Sequence, residues 1–325
     1  MLPRTVRLRS LAKINLDLRV LHKNPDGFHE LRTVFQTISL ADSITIEYSP
    51  ARRTELVIDD ALQIPNNLIL RAARAVLEAS KTPAQVRFKL EKRIPMGGGL
   101  GGGSSNAAAV LLALPVLIGK TLDMETLVRI GSELGSDVPF FLLGGTALGL
   151  GRGTELYPLA DVKPLPVLVF SSGTHVATGP AYQALGRGLT FTGSSSSINS
   201  FQAFVRELEE SGSAKVAGAF GANDFESVVL TQYPQLKTIQ GKLRKCGAAV
   251  RMTGSGSAFF ALFDSAEELE RARGVVEADR ALGGVRVLPA RLVSRAGYVR
   301  MWRRQLAPFL AVQEKERSAW PPRSR

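Results

Sequence analysis

Pro95-Met96-Gly97-Gly98-Gly99-Leu100-Gly101-Gly102-Gly103-Ser104-Ser105 is the stretch on which the reading of this chain turns. Six of the seven residues from Gly97 to Gly103 are glycine. Glycine loses more backbone entropy on folding than any other residue, so such a cluster needs a reason. One reason is a ligand lying on bare main chain, with successive N–H groups turned toward an anion. Upstream, Val86, Phe88 and Leu90 alternate with Arg87, Lys89 and Glu91, the period of a strand. Downstream, Asn106 to Ile118 reads as a helix that Pro115 should end or kink. Strand, turn and helix start together suit a phosphate, because the free N–H groups and dipole of a helix N-terminus favour negative charge. The Ser105 hydroxyl adds a group for phosphate or for a magnesium ion. A floppy linker is the plain alternative, and the structured flanks argue against it.

Two well-known phosphate-binding turns can be compared with it. A P-loop needs lysine after its last glycine, where this chain has Ser104. The dinucleotide fingerprint does fit Gly97, Gly99 and Gly102, with Asp123 about 20 residues further on. That keeps a Rossmann-type NAD(P) oxidoreductase as a rival. Against it, the preceding strand alternates with charges, whereas a parallel Rossmann strand is buried on both faces. Ile94-Pro95-Met96 also interrupts the passage from strand to glycine.

Outward from the turn, the N-terminus reads as a strand: Val6, Leu8, Ile14, Leu16, Leu18 and Val20 fall on even positions, and Lys13 and Asn15 share the polar face. Asn24-Pro25-Asp26-Gly27 is a turn signal, followed by a strand region from Leu31 to Tyr48 broken at Ala41-Asp42. Asn66-Asn67 caps a helix from Leu68 to Ala79, and Asp123 caps another that stops at Gly135. Phe140 to Leu143 reads as a buried strand, and Val167 to Phe170 as the start of a second domain. Gly193 to Ser197 reads as a flexible loop, and Leu236 to Lys245 as a helix. Strands are expected on either side of Thr253-Gly-Ser-Gly-Ser257. The irregular mixing of strands and helices favours an α+β fold.

The 325 residues allow two domains, and 45% hydrophobic with 22% charged residues is ordinary for a globular protein. Cys246 is the single cysteine and there are three histidines, which argues against disulfides and a structural zinc and suits a reducing cytoplasm. The longest apolar run, Ala107 to Ile118, is twelve residues, short of the about 20 that a membrane span needs. The net charge is +12, and Arg291 to Arg325 holds nine basic and two acidic residues. That end reads as a solvated extension; binding of nucleic acid through it is the alternative from another functional class.

The glycine turn resembles the ATP-binding motif of the GHMP kinases. Other segments agree in order: Ala12-Lys-Ile-Asn-Leu16, Asp26-Gly-Phe-His29, Asn67-Leu-Ile69, Gly135-Ser-Asp-Val-Pro139 and Thr253-Gly-Ser-Gly-Ser257. The resemblance covers residues 8 to 290. With the Asp26-to-His29 turn and Asp137, it points to the branch acting on a cytidine-diphosphate-linked polyol. It implies an N-terminal lobe like ribosomal protein S5 domain 2 (residues 1–165), a C-terminal ferredoxin-like lobe (166–299) and a basic extension (300–325). The implied reaction is ATP-dependent phosphorylation of the 2-hydroxyl of 4-diphosphocytidyl-2-C-methyl-D-erythritol, in the non-mevalonate route to isoprenoids. Another GHMP kinase, acting on homoserine, mevalonate or a sugar, is the nearer rival.

The same resemblance implies the roles of particular residues. Asp137 accepts the hydroxyl proton, and Lys13 favours the alkoxide. From its place in the sequence alone, Asp137 is equally a helix cap and Lys13 an exposed strand lysine. Pro95 to Ser105 hold the ATP phosphates, with Mg²⁺ alongside, while Asn67 and Lys92 lie near the adenine. Phe28 and Tyr182 sandwich the cytosine, His29 bonds its edge, and Asn15 and Thr178 touch the substrate. Family members commonly carry tyrosine where this chain has Phe28. The expected partner is a small molecule, with no nucleic acid and no membrane span, and the expected state is a cytoplasmic monomer or homodimer.

Overall fold

The structure, a computed structural model, describes residues 2–186, 188, 195–216 and 221–310. Two long strands organise the first lobe. β1 (Arg4–Lys23) runs antiparallel to β2 (His29–Pro50) along nearly its whole length. The other edge of β2 is shared. Its C-terminal half pairs with β4 (Ala84–Glu91), which β3 (Glu55–Asp60) flanks in parallel. Its N-terminal half pairs with β5 (Thr146–Gly151), followed by β6 (Glu155–Pro158). The expected break at Ala41-Asp42 is instead a bulge: Leu11 faces Ala41, Ala12 faces Ile38, and β2 continues. There the far edge of β2 passes from one neighbour to the other. β4 is antiparallel to β2, so the strand before the glycine turn is not part of a Rossmann sheet.

Helices cover one face of this sheet. α1 (Leu68–Ala79) is capped by Asn67, whose Oδ1 accepts from Ile69 N at 3.0 Å, and α3 (Met124–Leu134) by Asp123, which accepts from Thr126 N at 2.7 Å. Between them α2 (Gly102–Ile118) is apolar all round and buried on nearly every side. Pro115 does not end it. The proline stands in the last turn, where its missing N–H costs one bond, and Gly119 in a left-handed conformation closes the helix.

Phe140 to Leu143, expected as a strand, belongs to α4 (Val138–Leu143). Four consecutive apolar residues carry no period that separates strand from buried helix. Pro139 in the first turn presets the helical φ.

The second lobe is a four-stranded antiparallel sheet in the order β10–β7–β9–β8, formed by Arg286–Arg291, Pro166–Ser171, Phe259–Leu262 and Val250–Met252. Helices α7 (Phe225–Gln232), α8 (Pro234–Leu243) and α9 (Ala266–Ala278) pack on one face. α5 (Thr178–Ala184) lies at the cleft, and α6 (Ser195–Ser211) packs between the lobes through Phe201, Phe204 and Leu208. Of the expected serine loop, Gly193 and Ser194 lie outside the described residues, while Ser195 to Ser197 already belong to α6. The molecule is thus a two-lobed α+β fold.

The chain beyond Arg300 was expected to be an appendage, and for ten residues it is not. Helix α10 (Arg295–Leu310) crosses that point and inserts Tyr298, Trp302 and Leu306 into the core of the first lobe. Three apolar side chains at helical spacing bury one stripe while Arg300, Arg303 and Arg304 occupy the other faces. Residues 311–325 lie outside the described residues.

Candidate active site

β1 supplies the floor of the cleft between the lobes. From Ser10 to Leu21 it is buried throughout: Ala12, Ile14, Leu16, Leu18 and Val20 pack into apolar clusters shared with the second lobe, while Lys13 lies over the Phe35 ring and Asn15 and Asp17 take hydrogen bonds from Gly254 N and Ala222 N. Lys13 is therefore not an exposed strand lysine: it is 3% exposed. Its Nζ donates to Asn15 Oδ1 at 2.7 Å and lies 3.4 Å from Asp137 Oδ2. Asp137 precedes α4 but makes no capping bond with its side chain. The capping alternative fails on that point, and the carboxylate faces Lys13 at one-third exposure.

The glycine turn is tied into this floor. Lys13 N donates to Leu100 O at 3.0 Å. Gly101 has φ +69°, and a Cβ there would meet the Phe141 ring at 2.8 Å and Lys13 Cγ at 3.1 Å. Gly99 has φ +74°, and a Cβ there would collide with the Thr253 carbonyl oxygen and stand 3.1 Å from Gly254 Cα. Ala258 N also donates to Gly98 O at 3.2 Å. The two glycine-rich turns, 97–103 and 253–257, thus lie backbone against backbone, which explains why both lack side chains at the contact.

Pro95 to Gly103 line a cavity of about 360 Å³ together with Asn67, Lys92 and Ser104. α2 begins at its wall with no side-chain cap on its first N–H groups. Ser105, one position further, is buried, and its Oγ has no hydrogen-bond partner. A buried hydroxyl without a partner is costly unless a ligand meets it. Among the described residues no group of three His, Cys, Asp or Glu side chains could hold a metal. Mg²⁺ keeps waters and phosphate oxygens as its main ligands, so a nucleotide-borne ion would need few protein groups, and near the turn the Ser105 hydroxyl is left without a partner. Lys92 lines the cavity but is paired: its Nζ donates to the fully buried Asp42 at 2.6 Å, and Asp42 also accepts from Arg93 N and Ile94 N.

Gly97 and Gly99 also border a second cavity, of about 490 Å³, with Lys13, Asn15, Asp137, Thr178 and Tyr182 in its wall. A third, of about 570 Å³, adds Phe28 and His29 and again reaches Asp137 and Tyr182. All the residues singled out from the sequence for substrate therefore line one cleft, with Asp137 and Lys13 where it meets the glycine turn.

The aromatic arrangement differs from the expected sandwich. Tyr182 stacks on His29, with ring centroids 4.6 Å apart at 20°, and takes the edge of Phe225 at 4.8 Å. Phe28 is half exposed, and the Arg152 guanidinium lies 3.6 Å above its ring. Arg152 also pairs with Asp26, a bond that, with the Phe28 N–H, holds the Asp26 carboxyl below its usual range. Burial, with the Lys23 charge behind it, lowers the His29 pKa. Burial, and then the Asp137 charge, pushes the Tyr182 hydroxyl up, so it stays a neutral donor.

Sequence reasoning missed Arg152 and His175, both in the cleft wall. Gly151-Arg-Gly153 offered no spacing to mark Arg152, and His175 is a lone histidine in a loop. Asn15 was expected to touch substrate, yet its Oδ1 already accepts from Lys13 Nζ, Gly254 N and Thr253 Oγ1.

Comparison with known proteins agrees with this geometry. Residues 67–145 match the GHMP kinases N terminal domain, and residues 204–279 the GHMP kinases C terminal domain. A 4-diphosphocytidyl-2-C-methyl-D-erythritol kinase of Solibacter usitatus is 49% identical over 99% of this chain and 98% of its own length. One from Thermus thermophilus is 41% identical over 84% of this chain and 92% of its own. A crystal structure of 4-(cytidine 5'-diphospho)-2C-methyl-D-erythritol kinase superposes with TM-score 0.72 at 38% identity, covering 88% of this chain and 98% of that one. The chain belongs to the GHMP kinases and, within them, to the family of 4-diphosphocytidyl-2-C-methyl-D-erythritol kinases.

Proposed function

We propose that this protein transfers the γ-phosphoryl group of ATP to the 2-hydroxyl of 4-diphosphocytidyl-2-C-methyl-D-erythritol, a step of the non-mevalonate route to isoprenoids. The observation that carries the reading is the Lys13–Asp137 pair, 3.4 Å apart, at the junction of the glycine turn and the substrate cleft. Phosphoryl transfer depends on positioning and charge stabilisation more than on covalent chemistry by the protein. Asp137 takes the hydroxyl proton. Lys13 stabilises the charge that develops on the attacking oxygen, and its burial strengthens that effect. Main-chain N–H groups between Gly97 and Ser104 hold the triphosphate, and Asn67 and Lys92 border the nucleoside end. Ser105 would hold Mg²⁺, which when bound neutralises phosphate charge.

The cytidine lies against Phe28, His29 and Tyr182, with Thr178 nearby. Arg152, which the free protein keeps over Phe28, offers its guanidinium to the diphosphate. The base-binding turn favours this substrate over homoserine, mevalonate or a sugar, none of which has a base to stack. We read residues 1–165 as the ATP lobe and those from 166 through β10 as the second lobe, with α10 returning to the first, in a cytoplasmic monomer or homodimer whose whole site is built from one chain.

The test is direct. Purified protein with ATP, magnesium and the cytidine-linked methylerythritol should release ADP, and mevalonate or homoserine in its place should not support release. ADP release with mevalonate and none with the cytidine compound would reject the assignment.

A further inference from the structure

Behind Lys13 and Asn15 stands Thr33 of β2, fully buried beneath the substrate cavity. Its Oγ1 accepts from Asn15 Nδ2 at 2.8 Å and donates to the Asp17 carbonyl at 2.6 Å. Chemistry fixes these directions. Lys13 Nζ and Gly254 N can only donate, and they lie 2.7 and 3.0 Å from the same Asn15 atom, which must be the carbonyl oxygen. The Asn15 amide therefore turns its NH₂ to Thr33. The Asp17 carbonyl can only accept, so the single Thr33 proton goes there and a lone pair faces Asn15. The Thr33 methyl rests over Gly149, where a Cβ would stand 3.1 Å from it, so the missing side chain at Gly149 leaves room for it.

We propose that Thr33 is a positioning residue for the phosphoryl transfer: its hydroxyl locks the Asn15 amide in the one orientation that holds Lys13 toward Asp137 and Gly254 toward the first lobe. The inference rests on the kinase reading above. Without the hydroxyl, the Asn15 NH₂ has no acceptor, and only the donors on Oδ1 still hold the amide against turning. Turned over, it would face Lys13 and the Gly254 N–H donor against donor. The anchor is rigid, because the Asp17 side chain is buried against Arg19, with Nε to Oδ1 at 2.9 Å, and accepts from Ala222 N at 2.8 Å. One chain of bonds thus runs from the second lobe through Asp17, Thr33 and Asn15 to Lys13, and returns to the second lobe at Gly254.

The experiment compares Thr33→Val, which keeps the shape and loses the hydroxyl, with Thr33→Ser, which keeps the hydroxyl. Misplacement of a reacting group by about an ångström costs about 100-fold, so kcat of the Val variant should fall roughly 10- to 100-fold. Its KM for ATP should stay within about twofold, and Thr33→Ser should restore kcat. A merely structural role predicts no such split and no rescue. Hydrogen exchange at the Gly254 amide, measured without substrate, should accelerate in the Val variant and not in the Ser variant. Val turnover near wild type, or equal losses in Val and Ser, would overturn the proposal. If Thr33→Val does not fold, Thr33→Cys replaces it, since a thiol is a weak donor and a poor acceptor. Should the wild type release no ADP, the substrate reading fails; the exchange comparison still decides the positioning role, and unchanged Gly254 protection would overturn it.

Discussion

Replacing Gly99 with alanine tests whether the two glycine turns hold each other in place. Two costs add. A side chain at φ +74° costs about 1–2 kcal/mol. The new methyl would also overlap the Thr253 carbonyl and crowd Gly254 Cα at 3.1 Å, and overpacking of that kind costs about 1–3 kcal/mol. The sum is roughly 2–5 kcal/mol. Unfolding entropy of about 2.1 cal/mol/K per residue over 325 residues converts this to a Tm lowered by roughly 3–7 °C. Part of the strain is relieved by moving the turn away from its partner, and a loss of only about 1.4 kcal/mol in nucleotide binding raises KM for ATP about tenfold. Differential scanning fluorimetry and initial rates at varied ATP read the two effects. Gly103→Ala is the stability control: a Cβ there would sit 3.7 Å from Leu68 Cδ1 in ordinary contact, so its Tm should not fall. Gly99→Ala with a wild-type Tm and an unchanged KM for ATP would refute the idea that the turns are interlocked.

Asp137→Asn should lower kcat by roughly 100- to 10,000-fold while ATP affinity, read by calorimetry, stays within a few-fold; near-normal turnover would remove Asp137 from proton transfer. The His29 pKa is held below its ordinary 6.5, so as pH falls past that value the unfolded chain takes up the proton first. Stability contributed by the neutral ring is present above 6.5 and lost as pH falls toward the folded pKa. His29→Gln should flatten that part of a Tm-against-pH curve, and an unchanged slope would place the titration elsewhere. A chain ending at Arg300 loses Trp302 and Leu306 from the core, each worth about 2–5 kcal/mol, and should express poorly or melt many degrees lower. A chain ending at Leu310 keeps those contacts and should melt like the full protein.

The parts legible in the sequence were those with a local rule behind them. Asn67 and Asp123 announced helix starts because a short polar side chain accepts from the first turn. The glycine run announced a turn of bare main chain between a strand and a helix, and part of the reason for it, the contact of Gly99 with Thr253 and Gly254, lay in chain about 150 residues away. What stayed hidden depended on distant chain. The polar side of β1 reads as a solvent face by period, yet Asn15 and Asp17 are buried against Gly254 and Ala222 of the second lobe, and Lys13 against Phe35 and the glycine turn. Residues 140–143 have no period to read, and their helix is set by Pro139 and by packing against α2. The basic character of the chain end masked the apolar stripe of Tyr298, Trp302 and Leu306. Arg152 reaches Phe28 across a separation of more than a hundred residues, which no spacing rule encodes.

A crystal grown with a non-hydrolysable ATP analogue and the cytidine-linked methylerythritol addresses the central claim most directly. The account predicts the triphosphate against the main-chain amides of residues 97–104, the base beside Phe28, His29 and Tyr182, and the 2-hydroxyl within hydrogen-bond reach of Asp137 and Lys13. A nucleotide bound elsewhere, or a hydroxyl remote from that pair, would contradict it.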